Sequence, residues 1–474
     1  MGPAALLPLA LGLLALALPG LAAVPSSPPA APPPPRPVAI YHAFQEPYGP
    51  LAERVCDRAR EGYSHVQISP AQRSNPGPEW WKRYQPVDHA VIEGLGSEAD
   101  LRRLISRAHG CGLRVIADVV FNHMANLGGG DTWEDLSAFP GLTPQDVRTA
   151  PPGSGRRPCA DTDHNGYADG NRRSELECWL GGLPDLLFTP RVMARQRQHL
   201  SLLLKLGIDG FRFDAAKHMP PEVLRDHLAF IARSSGARAW NYLEVIEDGD
   251  TPASVYDSLA PLTDFRLYRA LRELFRYGGD LRRLPPRSLA DAVSVSFGRN
   301  HDTVPEIHGG LQGALDPYTD PGDAVLATVW VLARQGGTPL VFGPDSRASA
   351  QIRSAVRFRR ILAERTARGA EAPETVLRVI DDPQVAVMER GGEGLLLLNM
   401  GATLVDRPVL DLTLTRLEGC YRELGSDLTV AIERRGARKF VTRWGSWQRG
   451  GVRLPPRQAL LFIRDPFSVC SGRA

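Results

Sequence analysis

The chain has 474 residues, with 56 basic against 53 acidic side chains and a net charge of +3. That length holds a large domain and one or two smaller ones, and so even a charge balance, without a basic patch or stripe, excludes a nucleic-acid partner. Hydrophobic content of 43% and charged content of 23% are those of a globular protein.

The first residues, Met1 to about Ala23, form an apolar Leu/Ala run that closes on small residues. This predicts a signal peptide over 1–23, although no basic residues precede the run; Pro8 and Pro19 argue against a spanning helix. Residues 24–37, dominated by Pro, Ala and Ser, read as an extended linker. No later stretch approaches the ~20 apolar residues of a membrane helix, so no membrane contact is expected after cleavage. A secreted, extracellular protein is predicted, and six cysteines fit that oxidising location.

Short apolar runs then recur at 38–44, 65–69, 114–120, 210–215, 240–245, 262–267, 292–298 and 338–343, with helical patterns between most of them, as over 98–110 and 190–206. Eight strands alternating with helices predict an α/β fold, a parallel (β/α)8 TIM barrel. The barrel is read over 38–123 and 181–373. It is interrupted at 124–180 by a stretch rich in Gly, Pro, Asp and Asn, too long for a strand-to-helix loop and read as an inserted small domain. From about 374 the pattern shortens to alternating strands at 385–389, 395–399 and 459–463, which predicts a C-terminal antiparallel β-sandwich over 374–466.

Four segments fall at strand ends, the face on which such barrels carry chemistry. They are DVVFNH (118–123), GFRFDAAKH (210–218), LEV (243–245) and FGRNHD (297–302). They supply the carboxylates Asp214, Glu244 and Asp302 and the histidines His123 and His301. Glycosidic bond cleavage needs a proton donor for the leaving oxygen and a carboxylate that attacks or shields the anomeric carbon. Two carboxyl groups serve both roles when their surroundings push their pKa values apart. Arg212 shares a strand face with Asp214, two residues on, and can hold it ionised. Glu247 and Asp248 compete with Glu244 for the second role, but Glu244 directly follows the apolar Tyr242-Leu243. After the second strand, the run Trp80-Trp81-Lys82-Arg83-Tyr84-Gln85-Pro86 offers aromatic faces suited to pyranose rings, and an amide in Gln85.

In these motifs the chain closely resembles the α-amylase family of glycoside hydrolases (family 13 type), the branch of animal-type and related secreted bacterial α-amylases, over about 37–465. The resemblance implies Asp214 as nucleophile, Glu244 as general acid/base and Asp302 as the carboxylate that orients the sugar. It implies a retaining enzyme, with nucleophile and acid roughly 5–5.5 Å apart. His123, His301, Trp81, Tyr84, Gln85 and, with them, Trp80 would bind glucose units, while Lys217 and His218 would flank the leaving-group side. A structural calcium would be held by Asn122, Asp185 and the backbone carbonyl of His218, with a further carbonyl near Leu176. Two chloride ligands of the branch match Arg212 and Asn300, but the third position falls on Leu340, which predicts no chloride requirement. The resemblance also pairs Cys159 with Cys178. Cys56 and Cys111, placed on two barrel helices, admit a bridge or free buried thiols, and Cys420 and Cys470 remain for the C-terminal domain.

The loop Asp161–Asp169 spaces oxygen ligands as the start of an EF-hand does, but its twelfth position is Arg172 rather than Glu. A second calcium and a solvated turn both stay open there. The activity implied is endo-hydrolysis of α-1,4-glucosidic bonds in starch or glycogen by a monomer. The alternatives are a transglycosylating or maltooligosaccharide-forming enzyme of the same family, or a non-catalytic glucan-binding protein on its fold. The last usually lacks a carboxylate that this chain retains.

Overall fold

The structure, a computed structural model, describes residues 2, 34–127, 139–148, 172–377, 382–406, 416–426, 428–435, 438–443 and 453–466. The expected signal peptide beyond Gly2, most of the linker, the Asp161–Asp169 loop, Cys159 and Cys470 lie outside the described residues.

Eight parallel strands close into a barrel: β1 (Ile40–Ala43), β2 (His65–Ile68), β3 (Arg114–Val120), β4 (Gly210–Asp214), β5 (Tyr242–Leu243), β6 (Leu262–Thr263), β7 (Ser294–Ser296) and β8 (Thr338–Phe342). Each strand pairs with its neighbours in sequence, and β1 closes the ring against β8 in the register Ile40↔Leu340. The strands are buried along nearly their whole length, as strands covered on both faces must be. Gly210 sets the spacing of β4 against β5, since a Cβ there would stand 1.9 Å from the Trp240 carbonyl oxygen.

Helices α1 (Tyr48–Glu61) and α2 (Glu98–Gly110) wrap the first strands. A Cys56–Cys111 disulfide with a Cα–Cα distance of 5.6 Å joins α1 to the C-terminal end of α2, which removes the free-thiol alternative. Ser97 and Asp100 form a reciprocal capping box at the start of α2. The insert contributes the short helix α3 (Arg172–Glu177). The outer ring continues with α4 (Pro190–Leu206), α5 (Pro221–Ser235), α6 (Phe265–Phe275), α7 (Pro321–Ala333), α8 (Gly343–Ala348) and α9 (Ala350–Ala367).

The sixth strand is shorter than the expected 262–267. Its last three residues form the first turn of α6, because the Asp264 side chain accepts the Leu267 N–H at 2.9 Å and caps the helix.

The C-terminal region is a seven-stranded antiparallel sheet of β9 (Glu374–Leu377), β10 (Val385–Arg390), β11 (Gly394–Asn399), β12 (Gly419–Glu423), β13 (Thr429–Arg435), β14 (Arg438–Arg443) and β15 (Gln458–Arg464), in the order β9-β10-β11-β15-β12-β13-β14. Alternate residues serve two cores, as a period of two requires. Val385, Val387, Leu395 and Leu397 pack within the domain. Ala386, Met388, Leu396 and Leu398 join the barrel core. Arg457 fastens the junction, reaching Asp320 at 2.9 Å and Asp323 at 2.5 Å at the start of α7. Among the described residues no helix is long and apolar enough to cross a membrane.

Candidate active site

At the C-terminal ends of the strands lies one cleft lined by Asp214, Glu244, Asp302, His123 and His301. Trp80, Trp81, Tyr84, Gln85, Lys217 and His218 line it as well. Every sequence-derived catalytic or sugar-binding residue except Arg212 is therefore brought to a single wall.

Arg212 stands beneath that wall, 2% exposed, and organises it. Its Nη1 donates to Asp214 Oδ1 at 2.8 Å and to both oxygens of Asp118 at 2.8 and 2.7 Å, while Nη2 donates to Glu244 Oε1. Burial opposes the guanidinium charge, but Asp118, Glu244 and Asp214 more than offset it, and its pKa rises well above the ordinary value. Two carboxylates from β4 and the end of β5 are thus held side by side by one cation.

Their surroundings differ. Glu244 is 6% exposed, and burial drives its pKa well above the ordinary glutamate value although Arg212 pulls the other way. Its Oε2 accepts the Ala215 N–H at 2.9 Å. Ala215 follows Asp214 directly and adopts a left-handed conformation, φ 48° and ψ 34°, rare for a residue with a Cβ. That turn aims its amide at Glu244.

Asp302 sits in the middle of a 3-10 turn, His301–Thr303, that follows β7. Its backbone N–H donates to Asn300 Oδ1 at 3.1 Å, and Asn300 Nδ2 donates to Asp302 Oδ2 at 3.2 Å. Burial raises its pKa, with Arg212 and His308 opposing. His301, 3.3 Å from Asp302, stacks on Tyr84 with ring centroids 5.2 Å apart and planes 13° apart. Burial and Arg212 push the His301 pKa far down, so its imidazole is neutral. His123 Nε2 lies 3.0 Å from the Tyr84 carbonyl, which fixes its proton there.

The aromatic segment splits in two. Trp81 is 43% exposed beside the cleft, with Lys82 Nζ over its ring at 5.6 Å from the centroid. Trp80 lies deeper, its indole N–H donating to the Ile307 carbonyl at 2.9 Å and its ring edge-on to His301 and His308. Asn75 Nδ2 donates to Gln85 Oε1 at 2.7 Å and fixes the amide.

Several site residues escaped sequence reasoning. Asp118, fully buried, takes Arg212 on both oxygens and the Tyr84 hydroxyl at 3.1 Å; burial raises its pKa to about 7. The signal was there: a carboxylate inside the apolar run RVIADVV. Leu180, Leu183 and Ile246 supply apolar lining.

For a cation, Asn122 is the telling residue. It is fully buried, and neither its amide oxygen nor its amide nitrogen has a hydrogen-bond partner. An antiparallel bridge between His123 and Asp185 brings the buried Asp185 alongside. Arg148 donates to Asp185 Oδ2 at 2.9 Å. Among the described residues no group of three or more His, Cys, Asp or Glu could hold a metal. An orphaned amide oxygen beside one carboxylate and backbone carbonyls nonetheless suits a hard cation.

The model of the α-amylase catalytic domain matches residues 69–244. An α-amylase from Aeromonas hydrophila is 31% identical over 342 residues, 64% of this chain and 70% of that protein. The chain belongs to the α-amylase family. It spans about 62% of the length of the first curated relatives, which are α-amylases and α-amylase-related proteins. Among solved structures, a mutant α-amylase I from Eisenia fetida in complex with maltohexaose superposes with a TM-score of 0.69 at 20% identity, over 90% of this chain and 97% of that one. A cyclomaltodextrin glucanotransferase with a three-domain distribution superposes at 0.61 and 18% identity, over 91% and 100%. At these identities the superpositions speak for the fold.

Proposed function

We propose that the protein is a secreted α-amylase, a retaining endo-hydrolase of α-1,4-glucosidic bonds in starch or glycogen. One arrangement carries the reading: Arg212 holds Asp214 and Glu244 together in one cleft, and burial raises the pKa of Glu244, which suits it to donate a proton. Glu244 protonates the glycosidic oxygen as the bond breaks. Asp214 attacks the anomeric carbon from the other face, forming a glycosyl ester. Glu244, now a carboxylate, takes a proton from water, which displaces Asp214. Asp302 and the neutral His301 and His123 bind sugar hydroxyls, and such bonds favour the reaction when they tighten in the transition state. Trp81 offers a stacking face. Maltohexaose in the Eisenia fetida relative supports an α-glucan substrate.

Chromatography of the products from soluble starch tests this. Short linear maltooligosaccharides are expected. Cyclic or lengthened products would replace the reading with a glucanotransferase, an activity found on the same fold. No cleavage at all would leave a glucan-binding protein.

The acid role has its own test. Glu244→Gln is expected to lower starch turnover by about 10³-fold. α-Maltosyl fluoride, whose leaving group needs no proton, should lose far less, and equal losses on both substrates would remove Glu244 from that role. In the wild type the alkaline limb of kcat/KM should lie well above the ordinary glutamate pKa of about 4.3.

We assign calcium to Asn122, Asp185 and the His218 carbonyl. The ion would tie the insert to the barrel and stabilise the cleft without entering the chemistry. Chelation is expected to lower the unfolding midpoint, and a thousandfold excess of calcium over its Kd should restore about 4 kcal/mol. Asn122→Ala should unfold at the same midpoint with or without calcium; a calcium-dependent midpoint in that variant would move the site elsewhere.

No chloride requirement is proposed. One guanidinium already faces three carboxylates, so a buried anion would add uncompensated charge, and the branch's third ligand position is the buried Leu340. The apolar Leu/Ala run expected to be a signal peptide and the Cys56–Cys111 bridge support an extracellular location. A monomer is the accompanying expectation.

A further inference from the structure

Helix α3 of the insert lies against the barrel beside the cleft, and two of its charged side chains, Arg172 and Glu175, turn inward. Glu175 is buried; its Oε1 stands 2.9 Å from Lys217 Nζ, and its Oε2 accepts the Thr251 hydroxyl. Its backbone carbonyl accepts from His218 Nδ1 at 3.0 Å. Arg172 Nη1 donates to the Lys217 carbonyl at 2.6 Å and to Thr251 Oγ1 at 3.1 Å. Its Nη2 donates to the Tyr256 hydroxyl, and the guanidinium lies over the Tyr256 ring at 5.1 Å.

From the opposite side, Asp248 pairs with Lys217 Nζ, and its Oδ1 accepts the N–H groups of Asp250 at 3.0 Å and Thr251 at 2.7 Å. Lys217 is thereby gripped between the insert and the loop after β5, while it and His218 line the cleft. A lysine has a flexible four-carbon stem, and buried ion pairs contribute little net stability against apolar replacements. What two carboxylates on one ammonium do provide is a fixed position for its Nζ. A carbonyl can only accept, so the Glu175 contact also fixes the orientation of the His218 ring.

We propose that Arg172 and Glu175 are positioning residues of the reaction. Through Lys217 and His218 they fix the glucose units on the leaving-group side of the cleft, and so decide which bond of a short α-glucan is cut. This rests on the glucan-cleaving reading above. Arg172, which breaks the EF-hand pattern at its twelfth position, has its role here.

The test compares wild type with Glu175→Gln, Arg172→Gln and Asp248→Asn on two substrates. One is reducing-end-labelled maltopentaose, which needs sugar contacts on the leaving-group side. The other is nitrophenyl α-maltotrioside, whose aryl leaving group makes none. The first two variants are expected to lose about tenfold more kcat/KM on maltopentaose than on the aryl glycoside, and to move the principal cleavage site by a bond. Asp248→Asn, at the exposed end of the grip, should shift the pattern the same way by a smaller amount. It also decides the matter if the buried substitutions fail to fold. Wild-type cleavage frequencies in the variants, with equal losses on both substrates, would reduce the pair to a structural role and overturn the inference alone. A wild type that cleaves neither substrate would overturn the glucan-cleaving reading, and this inference with it.

Discussion

Asp214→Asn is expected to lose at least about 10⁴-fold in starch turnover while binding starch within about threefold of wild type. An amide has the shape of a carboxylate but cannot form the glycosyl ester, so the loss falls on the chemical step. Binding should survive because the sugar contacts proposed for Trp81, Tyr84, Gln85 and His301 come from other segments, and because the Asn oxygen can still accept Arg212 Nη1, which stands 2.8 Å from Asp214 Oδ1. Stability should hardly fall, since the substitution removes one of three carboxylates crowding a single guanidinium. Proton NMR of the wild-type reaction gives a second reading of the same residue: the first product should appear as the α anomer. Substantial hydrolysis by Asp214→Asn, or a β anomer from the wild type, would remove Asp214 from the nucleophile's place.

Much of this site was legible because each motif is local. Gly210–His218 carries a strand, its terminal carboxylate and the turn that follows within nine consecutive residues, so a short window holds both the fold signal and the chemistry. Asp118 was opaque for the opposite reason. Its role depends on Arg212, 94 residues further on, and in its own neighbourhood it is only a polar break in an apolar run. Helix α3 was opaque because six residues inside a Gly- and Pro-rich insert show no usable period, and because Glu175 acts on Lys217 across two segments. The sixth strand reads too long in the sequence because Leu262, Phe265 and Leu267 form an apolar run with no Gly or Pro to end it. Asp264, an N-cap type at the fourth position from the end of that run, was the overlooked sign that a helix begins there.

The largest structural effect is expected at Arg212. Replacing it with methionine, an unbranched apolar side chain without the charge, leaves Asp118, Asp214 and Glu244 buried with no counter-charge. Breaking a buried ion pair in this way costs about 3–5 kcal/mol, and here three partners are orphaned at once. The sign with pH follows from proton binding. Arg212 lowers the pKa of both Asp118 and Glu244 against the burial that raises them, so its removal raises them further above their unfolded values of about 3.9 and 4.3. Between the unfolded and the folded pKa the native variant binds more protons than the unfolded chain, and its stability falls as pH rises through that window. The deficit relative to wild type should therefore be largest at neutral pH and shrink toward pH ~4, where the unfolded carboxylates also hold protons. Urea unfolding of the two proteins across that range measures it. A deficit that stays constant with pH would mean that Arg212 contributes packing alone and that its charge does not act on Asp118 and Glu244. Arg212→Lys separates charge from geometry. It keeps the cation but loses the fork that holds the two carboxylates side by side, so it should recover much of the stability near neutrality while leaving turnover low.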